Sequence, residues 1–403
     1  MKKHLAKRKK VAKRKEVYSG KSFTDDLPEE IMAYILSKNP IETIILCNGV
    51  CKKWRRLLSE PLFANLHLSR SPAGLIIYQP CYFEEFNIYN LAEVDNTPHP
   101  DIHDGPVISF DLENEFVGED WPLCGSVNGL ICLKKDGGGT CICNPITREY
   151  IRLPRQKYIR KLSNFLAYGF GFVKVSHEFK VVCFYEHDFS STEGLDKLWC
   201  EVYTLGTGMW RSLGQVPFLA KVGNRDFLYD RAYNSWNGSK DGVFMGSNLH
   251  WLVNVLDTNQ ERVCTFDLKN EVYQLTAPPR ACEKEDFRRL GVLGDSLCVC
   301  DNTAKSGLII WVMKDYEMKE SWSKEIIIQE RCPPDHSLLY GRVHPLKVFK
   351  DGTLILLALK DYQVMYDTEN KTWKIFNMGF TSECYKKPIA MRRFGYFRSS
   401  SLV

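Results

Sequence analysis

The sequence contains no apolar run long enough to cross a membrane. Stretches such as LILLAL at residues 354–359 are far shorter than the roughly 20 residues that a membrane-spanning helix needs. The first 16 residues are basic and lack the apolar segment of a secretory signal. We therefore expect no membrane span and a protein of the reducing cell interior. There, the 15 cysteines would act as buried apolar residues and not as a disulfide framework.

The cysteine patterns of metal binding are missing as well. Cys141/Cys143 and Cys298/Cys300 are C-x-C pairs in apolar stretches, where a spacing of two places both side chains on one face of a strand. A structural zinc site would need C-x₂-C pairs or a set of Cys and His at fixed spacing. We expect these four cysteines in the core.

Catalytic motifs are equally scarce. The segment DGGGT at residues 136–140 lacks the Lys-Ser/Thr pair of a phosphate-binding loop and fits a hairpin turn. His99 and His103 lie in HPDIHDGP, whose Pro and Gly indicate a loop and not a metal site. The sequence contains no nucleophile elbow and no H-E-x-x-H motif. We expect a protein without intrinsic catalysis, cofactor or metal.

Acidic residues are absent from residues 2–15, which carry nine Lys and Arg. The rest of the chain has 45 basic against 49 acidic residues, so the net charge of +5 is no evidence for nucleic-acid binding. The runs KRKK and KRK fit either a nuclear import signal or a solvated disordered tail. We expect residues 1–22 to be a basic tail, the protein to be nuclear or cytoplasmic, and neither nucleic acid nor membrane to be a partner.

A short helical segment follows the tail. Asp26 suits a helix cap and Pro28 a first-turn position, so the sequence predicts a helix over about residues 28–37. Asn39-Pro40 interrupts the chain before a second helix over residues 41–46.

A third helix is predicted over residues 50–58. Val50, Trp54, Leu57 and Leu58 share one face, which Cys47 and Cys51 widen, and four basic residues lie opposite. Three short helices bury little surface on their own, so we expect part of this apolar face to be an interface. The other interpretation of Trp54 is a core aromatic residue of a helical hairpin.

The same residues form an ordered motif that resembles the F-box. The matching positions are Leu27-Pro28, Ile35-Leu36-Ser37, Pro40, Val50-Cys51-Lys52-x-Trp54-Arg55-x-Leu57, Pro61-x-Phe63 and His67. The resemblance implies docking on the adaptor Skp1 of cullin-based ubiquitin ligases. It implies the following adaptor-binding residues: Leu27, Pro28, Ile31, Ile35, Leu36, Val50, Cys51, Trp54 and Leu57.

From about residue 72 onward, short β-branched and aromatic runs separated by polar turns indicate an all-β region. Four segments share one layout, in which an apolar residue precedes an aromatic one by seven positions around a turn: CNPITREY, YTLGTGMW, FDLKNEVY and YDTENKTW. A further segment has Trp311 and Trp322 eleven apart, as if four residues lengthened the turn. Each hairpin follows another apolar strand, and GLIIYQ with FNIYNLAEV looks like a degenerate first copy.

These repeats predict six units of a kelch-like propeller, closed into a ring, with five or seven units as alternatives. The region also resembles the F-box-associated domain of plant F-box proteins, through GSVNGLICL, CNPITREYIRLP, YGFGF, VYTLGTGMWRSL and IIWVMKDYEMKESWSKE, among others. The predicted architecture is an α+β multidomain chain, with a three-helix F-box at residues 23–68 and an all-β propeller, six blades favoured, at residues 69–403.

The combined resemblance implies a substrate receptor, whose helical part binds Skp1 and through it cullin while the β part binds a protein target. One inserted segment, NRDFLYDRAYNSWNGSK, is rich in the residue types of interface hot spots: Phe227, Tyr229, Arg231, Tyr233 and Trp236. These side chains either contact the target or pack on their own blade. Two rival functions remain, a lectin-like module that binds glycans or a small ligand and a copper oxidase, for which no Tyr and His site can be assembled.

Overall fold

The structure is a computed structural model whose described residues lie in the following ranges: 27–70, 74–81, 86–93, 108–111, 121–135, 139–145, 149–156, 165–186, 198–218, 220–222, 241–280, 288–302, 307–328, 343–349, 354–358, 363–375 and 387–391. The basic tail, His99, His103 and residues 136–138 of the glycine-rich segment lie outside them. Among the described helices, none is long and apolar enough to span a membrane.

The chain begins with four short helices: α1 (Glu29–Leu36), α2 (Ile41–Cys47), α3 (Lys52–Leu58) and α4 (Pro61–Arg70). The first three correspond to the predicted helices, and α4 is an addition to them. Pro61 lies in the first turn of α4, where its missing N–H costs no hydrogen bond. Each of the four helices contributes buried side chains to the interior of this helical module.

Strands make up the rest of the described chain. In chain order they are β1 (Gly74–Cys81), β2 (Phe86–Glu93), β3 (Ile108–Asp111), β4 (Leu123–Val127), β5 (Leu130–Lys135), β6 (Gly139–Cys143), β7 (Tyr150–Arg152), β8 (Phe165–Val173), β9 (Glu178–Glu186), β10 (Leu198–Thr204), β11 (Trp210–Gln215), β12 (Ala220–Val222), β13 (Val243–Met245), β14 (Asn248–Val255), β15 (Gln260–Asp267), β16 (Tyr273–Thr276), β17 (Arg288–Leu293), β18 (Ser296–Asp301), β19 (Leu308–Met313), β20 (Trp322–Ile328), β21 (His344–Phe349), β22 (Leu354–Ala358), β23 (Gln363–Asp367), β24 (Thr372–Ile375) and β25 (Lys387–Met391).

These strands form six antiparallel sheets within the described ranges, as the six-blade prediction requires. Blade 1 has the order β25-β1-β2-β3, blade 2 contains β4 to β7, and blade 3 contains β8 to β11. Blade 4 contains β12 to β16, of which β12 and β13 both pair with β14, while blades 5 and 6 contain β17 to β20 and β21 to β24.

The first strands of the blades form a closed ring. β4 lies beside β8, β8 beside β13, β13 beside β17, β17 beside β21, β21 beside β25, and β25 beside β4. Apolar side chains fill the space between neighbouring blades; for example, Val127 and Cys132 of blade 2 share one cluster with Tyr168 and Val181 of blade 3. The core therefore lies between blades, around the ring.

The strands of each blade alternate in direction, which gives the ring two different faces. The hairpins between first and second strands and between third and fourth strands open on one face, which we call the turn face. The connections between blades and between second and third strands open on the opposite face, the connection face. Because β1 is the second strand of blade 1, it starts at the turn face. The helical module therefore joins the ring on that side.

The four hairpins with seven-residue spacing have the predicted register. Their end residues are directly paired in each case: Cys143 with Tyr150, Tyr203 with Trp210, Phe266 with Tyr273, and Tyr366 with Trp373.

The hairpin of blade 5 differs from its prediction. Trp322 pairs with Met313 and not with Trp311, so the extension of the turn is shorter than expected. A short 3₁₀ helix at Lys319–Ser321 forms part of the turn. Farther from the turn, a register shift between Ile310 and Trp311 displaces the remaining pairs by one residue, so that Ile310 pairs with Ile326.

Candidate functional site

The helical module exposes an unusual amount of apolar surface. Of the large hydrophobic side chains that are exposed in the described part of the chain, twelve in number, seven lie between residues 31 and 62. They are Ile31, Tyr34, Ile35, Ile45, Leu46, Val50 and Leu62. A concentration of exposed apolar side chains in one small module is typical of an interaction site. We call these seven residues the apolar face.

The interior of the module explains why this face points outward. Met32, Ala33 and Leu36 occupy the buried side of α1, and Leu57 and Leu58 the buried side of α3. The module's interior is continuous with Ile76 of β1 and with residues of blade 2, while Trp54 is half-buried against the same cluster. Because one side of each helix already packs inside, the apolar residues on the opposite side remain exposed.

The turn before α3 is built differently from the predicted helix. Cys47 ends α2 and is buried, and Val50 precedes α3 and is 62% exposed, so neither belongs to the apolar side of α3. Cys51 caps α3 instead, because its Sγ accepts a hydrogen bond from the Trp54 backbone N–H, with an N···S distance of 3.5 Å. The Arg55 side chain also donates to the Asn48 carbonyl at 3.3 Å. Gly49 and Val50 thus lie in a turn that these two hydrogen bonds stabilise.

Basic side chains surround part of the apolar face. Lys52, Arg55 and Arg56 are exposed on α3, and Arg56 forms an ion pair with Glu29 of α1. Both members of this pair are substantially exposed, so the pair contributes little to stability. An incoming surface would therefore meet apolar side chains flanked by positive charge.

The ring contains buried thiols without the properties of a reactive site. Cys141 and Cys143 are buried in β6, and Cys298 and Cys300 in β18, as the strand interpretation predicted. Burial raises the pKa of Cys141 to about 12 and also raises the pKa values of Cys143 and Cys298. Thiols with such pKa values stay protonated at neutral pH and are poor nucleophiles and metal ligands. No group of three or more metal-ligating side chains occurs among the described residues.

Comparison with known proteins identifies both parts of the chain. The model of the F-box associated beta propeller domain matches residues 96–387. The chain belongs to this family. An F-box-like model matches residues 24–69, which include all four helices except the last residue of α4.

Whole-chain relatives combine the same two parts. F-box protein CPR1 of Arabidopsis thaliana is 25% identical over 371 residues, covering 86% of this chain and 83% of that protein. An F-box/kelch-repeat protein of the same plant is 24% identical over 360 residues, covering 86% and 88%. A putative F-box protein, also of Arabidopsis thaliana, is 24% identical over 403 residues, covering 94% and 92%.

The nine F-box residues expected to contact an adaptor fall into three groups by exposure. Pro28, Ile31, Ile35, Val50 and Cys51 are exposed, while Leu27 and Trp54 are half-buried. Leu36 and Leu57 are only 3% and 2% exposed, because they form the interior of the F-box domain. Both side chains pack inside the domain and are not accessible to an adaptor in this structure.

Four exposed residues of the apolar face were not singled out from the sequence: Tyr34, Ile45, Leu46 and Leu62. Tyr34 lies three residues after Ile31 on α1, so helical periodicity could have placed it beside Ile31 and Ile35. Ile45 and Leu46 follow Ile44, which is buried, and in so apolar a run the pattern does not distinguish inside from outside.

The aromatic insertion proposed for target binding lies outside the described residues, with Phe227, Tyr229, Arg231, Tyr233 and Trp236. Both flanks of the insertion are described. Val222 ends β12 and pairs with Val253, and Val243 begins β13 and pairs with His250. The insertion therefore interrupts the first strand of blade 4, one of the strands that line the ring axis.

The second flank of the insertion is firmly attached to neighbouring blades. The Gly242 N–H donates to the Tyr168 carbonyl of blade 3 at 2.6 Å. Asp241 forms an ion pair with Lys134 of blade 2, and the Lys134 and Asp241 side chains are 22% and 12% exposed. Residues from three blades thus fix the point where the insertion returns to the ring.

Proposed function

We propose that this protein is a substrate-recognition subunit of a ubiquitin ligase of the Skp1–cullin–F-box type. The F-box domain binds a Skp1-type adaptor and through it a cullin, and the propeller binds a protein target. The role is non-catalytic, because holding a target beside a ubiquitin-charged enzyme raises its effective concentration without chemistry in this chain. The observation that carries the proposal is the apolar face, which the chain's own propeller leaves exposed.

The adaptor step can be tested with Ile35, which is 46% exposed on α1. Ile35→Asp places a charge in the proposed contact and leaves the F-box interior unchanged, so we expect at least about 30-fold weaker adaptor binding, as for a hot-spot residue. Trp54 is less suitable, because it also packs against the domain's own cluster. Binding of the purified full chain to a purified Skp1-type adaptor is measured by calorimetry.

Val175→Asp supplies the matched control, since Val175 is an exposed apolar residue on a turn of blade 3. The control should bind the adaptor as the unmodified chain does. If Ile35→Asp binds with the same affinity as Val175→Asp, the apolar face is not the adaptor site.

We further propose that the target contacts the insertion at residues 223–240. Support comes from its composition and from its two described flanks, which are both paired with β14 in blade 4.

The test compares the proteins captured from proteasome-inhibited plant cells by three full-length forms of the chain: unmodified, Ile35→Asp, and a form with Phe227, Tyr229 and Trp236 changed to Ala. Targets should remain bound to Ile35→Asp and be lost from the triple variant. A set of captured proteins that is identical for the unmodified chain and the triple variant would contradict this assignment.

A further inference from the structure

Tyr34 lies in the middle of the exposed strip of α1. It follows Ile31 by three residues and precedes Ile35 by one, so the three side chains share one face of the helix. Their exposed fractions are 48%, 44% and 46% in chain order. Unlike its two neighbours, Tyr34 carries a group that can form a directional hydrogen bond.

Two cations hold the Tyr34 ring in place. The Lys38 ammonium lies 4.3 Å from the ring centroid, and the Arg70 guanidinium carbon, on the last residue of α4, lies 4.6 Å from it. Arg70 is itself attached to α1, because its Nη1 donates to Ser37 Oγ, and Ser37 Oγ donates to the Tyr34 carbonyl at 2.9 Å. The exposed ring therefore has contacts with two cations, one of which belongs to another helix. Contacts that favour one orientation of a side chain reduce the conformational entropy that it loses on binding, which favours a strong contact.

The surroundings of the Tyr34 hydroxyl favour a negatively charged partner. The hydrogen bond and the charge of Lys38, with a smaller contribution from Arg70, lower the pKa of Tyr34. The hydroxyl can donate its proton to an acceptor outside the chain, and the two cations beside the ring favour an acceptor that carries negative charge. Glu30 is exposed one turn earlier on α1, and Glu29 pairs with Arg56. The two cations at the ring outweigh the single free carboxylate, and hydrogen bonds to charged acceptors are the stronger ones.

We infer that Tyr34 is a specificity-determining contact of the F-box domain, whose hydroxyl donates a hydrogen bond to a carboxylate of the Skp1-type adaptor. Lys38 and Arg70 are positioning residues that orient the ring. The assignment rests on the proposed function, because Tyr34 is continuous with the apolar strip of Ile31 and Ile35. It adds an acidic side chain of the adaptor as the chemical feature that this F-box domain recognises.

The test measures the dissociation constant of the full chain and a purified Skp1-type adaptor. Tyr34→Phe removes only the hydroxyl, and we expect about tenfold weaker binding, as for a lost hydrogen bond to a charged acceptor. Tyr34→Ala also removes the ring, and we expect about 30-fold to 100-fold weaker binding. Met209→Ala, at an exposed position of blade 3, should bind as the unmodified chain does.

A double-mutant cycle separates positioning from a general effect on folding. Arg70→Met should weaken binding by about threefold to tenfold in the unmodified chain and much less in the Tyr34→Ala background, because Arg70 acts through the ring. Arg70→Lys should restore part of the loss. An equal effect of Arg70→Met in both backgrounds would exclude the positioning role.

The outcomes distinguish this inference from the function on which it rests. If the unmodified chain binds the adaptor and both Tyr34 variants bind within twofold of it, the Tyr34 contact is wrong and the proposed function stands. If the unmodified chain does not bind the adaptor at all, the proposed function is wrong and the Tyr34 contact falls with it.

Discussion

At the scale of single residues, a charged cluster shows how neighbouring blades are joined. Glu271 lies in the third hairpin turn of blade 4, and its Oε1 accepts from Lys180 Nζ of blade 3 at 2.9 Å. Arg211 Nη2, also of blade 3, lies 2.6 Å from both Glu271 carboxylate oxygens. Lys180 further donates to the Leu268 carbonyl at 2.9 Å. The Lys180 and Glu271 side chains are only 8% and 14% exposed, so removing either partner leaves a poorly solvated charge behind.

The pKa of Glu271 determines how this cluster responds to acid. Burial raises it, but the hydrogen bonds and charges of Arg211 and Lys180 outweigh burial, and the net pKa is lowered. A lowered pKa in the folded state means that the carboxylate stabilises the fold above the unfolded-state pKa of about 4.3 and loses that contribution as the pH falls through the folded-state value.

Glu271→Gln should therefore lower the free energy of unfolding by about 1–3 kcal/mol at pH 7, because Lys180 and Arg211 lose a charged acceptor. The difference from the unmodified chain should shrink as the pH falls below about 4.3, where the carboxyl of the unfolded chain becomes protonated, and it should be lost once the pH is below the lowered folded-state pKa. Urea unfolding at a series of pH values measures both effects.

Glu325→Gln is the control, since the Glu325 ion pair with Lys314 is solvent-exposed and its loss should cost at most about 1 kcal/mol. A Glu271 variant that is no less stable than the Glu325 variant at pH 7 would contradict the role assigned to the cluster.

At the scale of elements, the outer hairpins could be predicted from the sequence and the innermost strands could not. Each hairpin joins strands that are close in sequence, so an apolar residue, a polar turn and an aromatic residue recur at a fixed spacing. Tyr203 and Trp210, or Tyr366 and Trp373, are paired as that spacing requires. The hairpin of blade 5 departs from the rule, because Trp322 pairs with Met313 across a longer turn that contains a 3₁₀ helix, and the sequence spacing alone did not show which residue would be the partner.

The innermost strands are recognisable only through contacts with other blades. In β8, a Cβ added at Gly171 would lie 2.4 Å from Leu268 Cδ1 and 2.8 Å from Phe244 Cδ2, both side chains of blade 4. A Cβ added at Gly291 of β17 would lie 2.7 Å from Pro345 Cγ of blade 6. Glycine is needed here for close approach between blades, and a single sequence cannot show which neighbour approaches. The motif YGFGF therefore indicated a family resemblance, but the sequence did not show why the motif contains glycines.

The F-box domain shows the same limit at the candidate site. The sequence predicted the first three helices, and the F-box resemblance named Ile31, Ile35, Val50, Leu36 and Leu57 alike as adaptor-binding residues. The structure leaves the first three exposed and buries Leu36 and Leu57. A short helix that is apolar on several sides does not reveal which side packs inside, because that depends on the other helices. The exposure of Tyr34 follows from the same packing. One of the two cations beside its ring, Arg70, belongs to α4, a helix that the sequence did not predict.

At the scale of the whole molecule, the two ends of the ring meet in blade 1. β25 supplies the first strand of that blade, and it pairs with β1, which lies more than 300 residues earlier in the chain. Ile76, at the centre of β1, pairs with Ile389 and is completely buried. β25 also lies beside β4 and β21, so it fills the place between blades 6 and 2. Without it, blade 1 would have an unpaired edge at the ring axis and the ring would be open.

A chain that ends after residue 386 should therefore lose cooperative folding of the propeller. We expect a lower unfolding midpoint, a broader transition and more aggregate in size-exclusion chromatography, because the β1 edge and the apolar surface beside it become accessible. The control is a chain that ends after residue 391, which keeps β25 and every other described strand. Both forms keep the whole F-box domain, so the two chains differ in sequence only at the end of the propeller. If both chains unfold at the same midpoint, ring closure through β25 does not stabilise the propeller, because the only difference between them is the strand that completes blade 1.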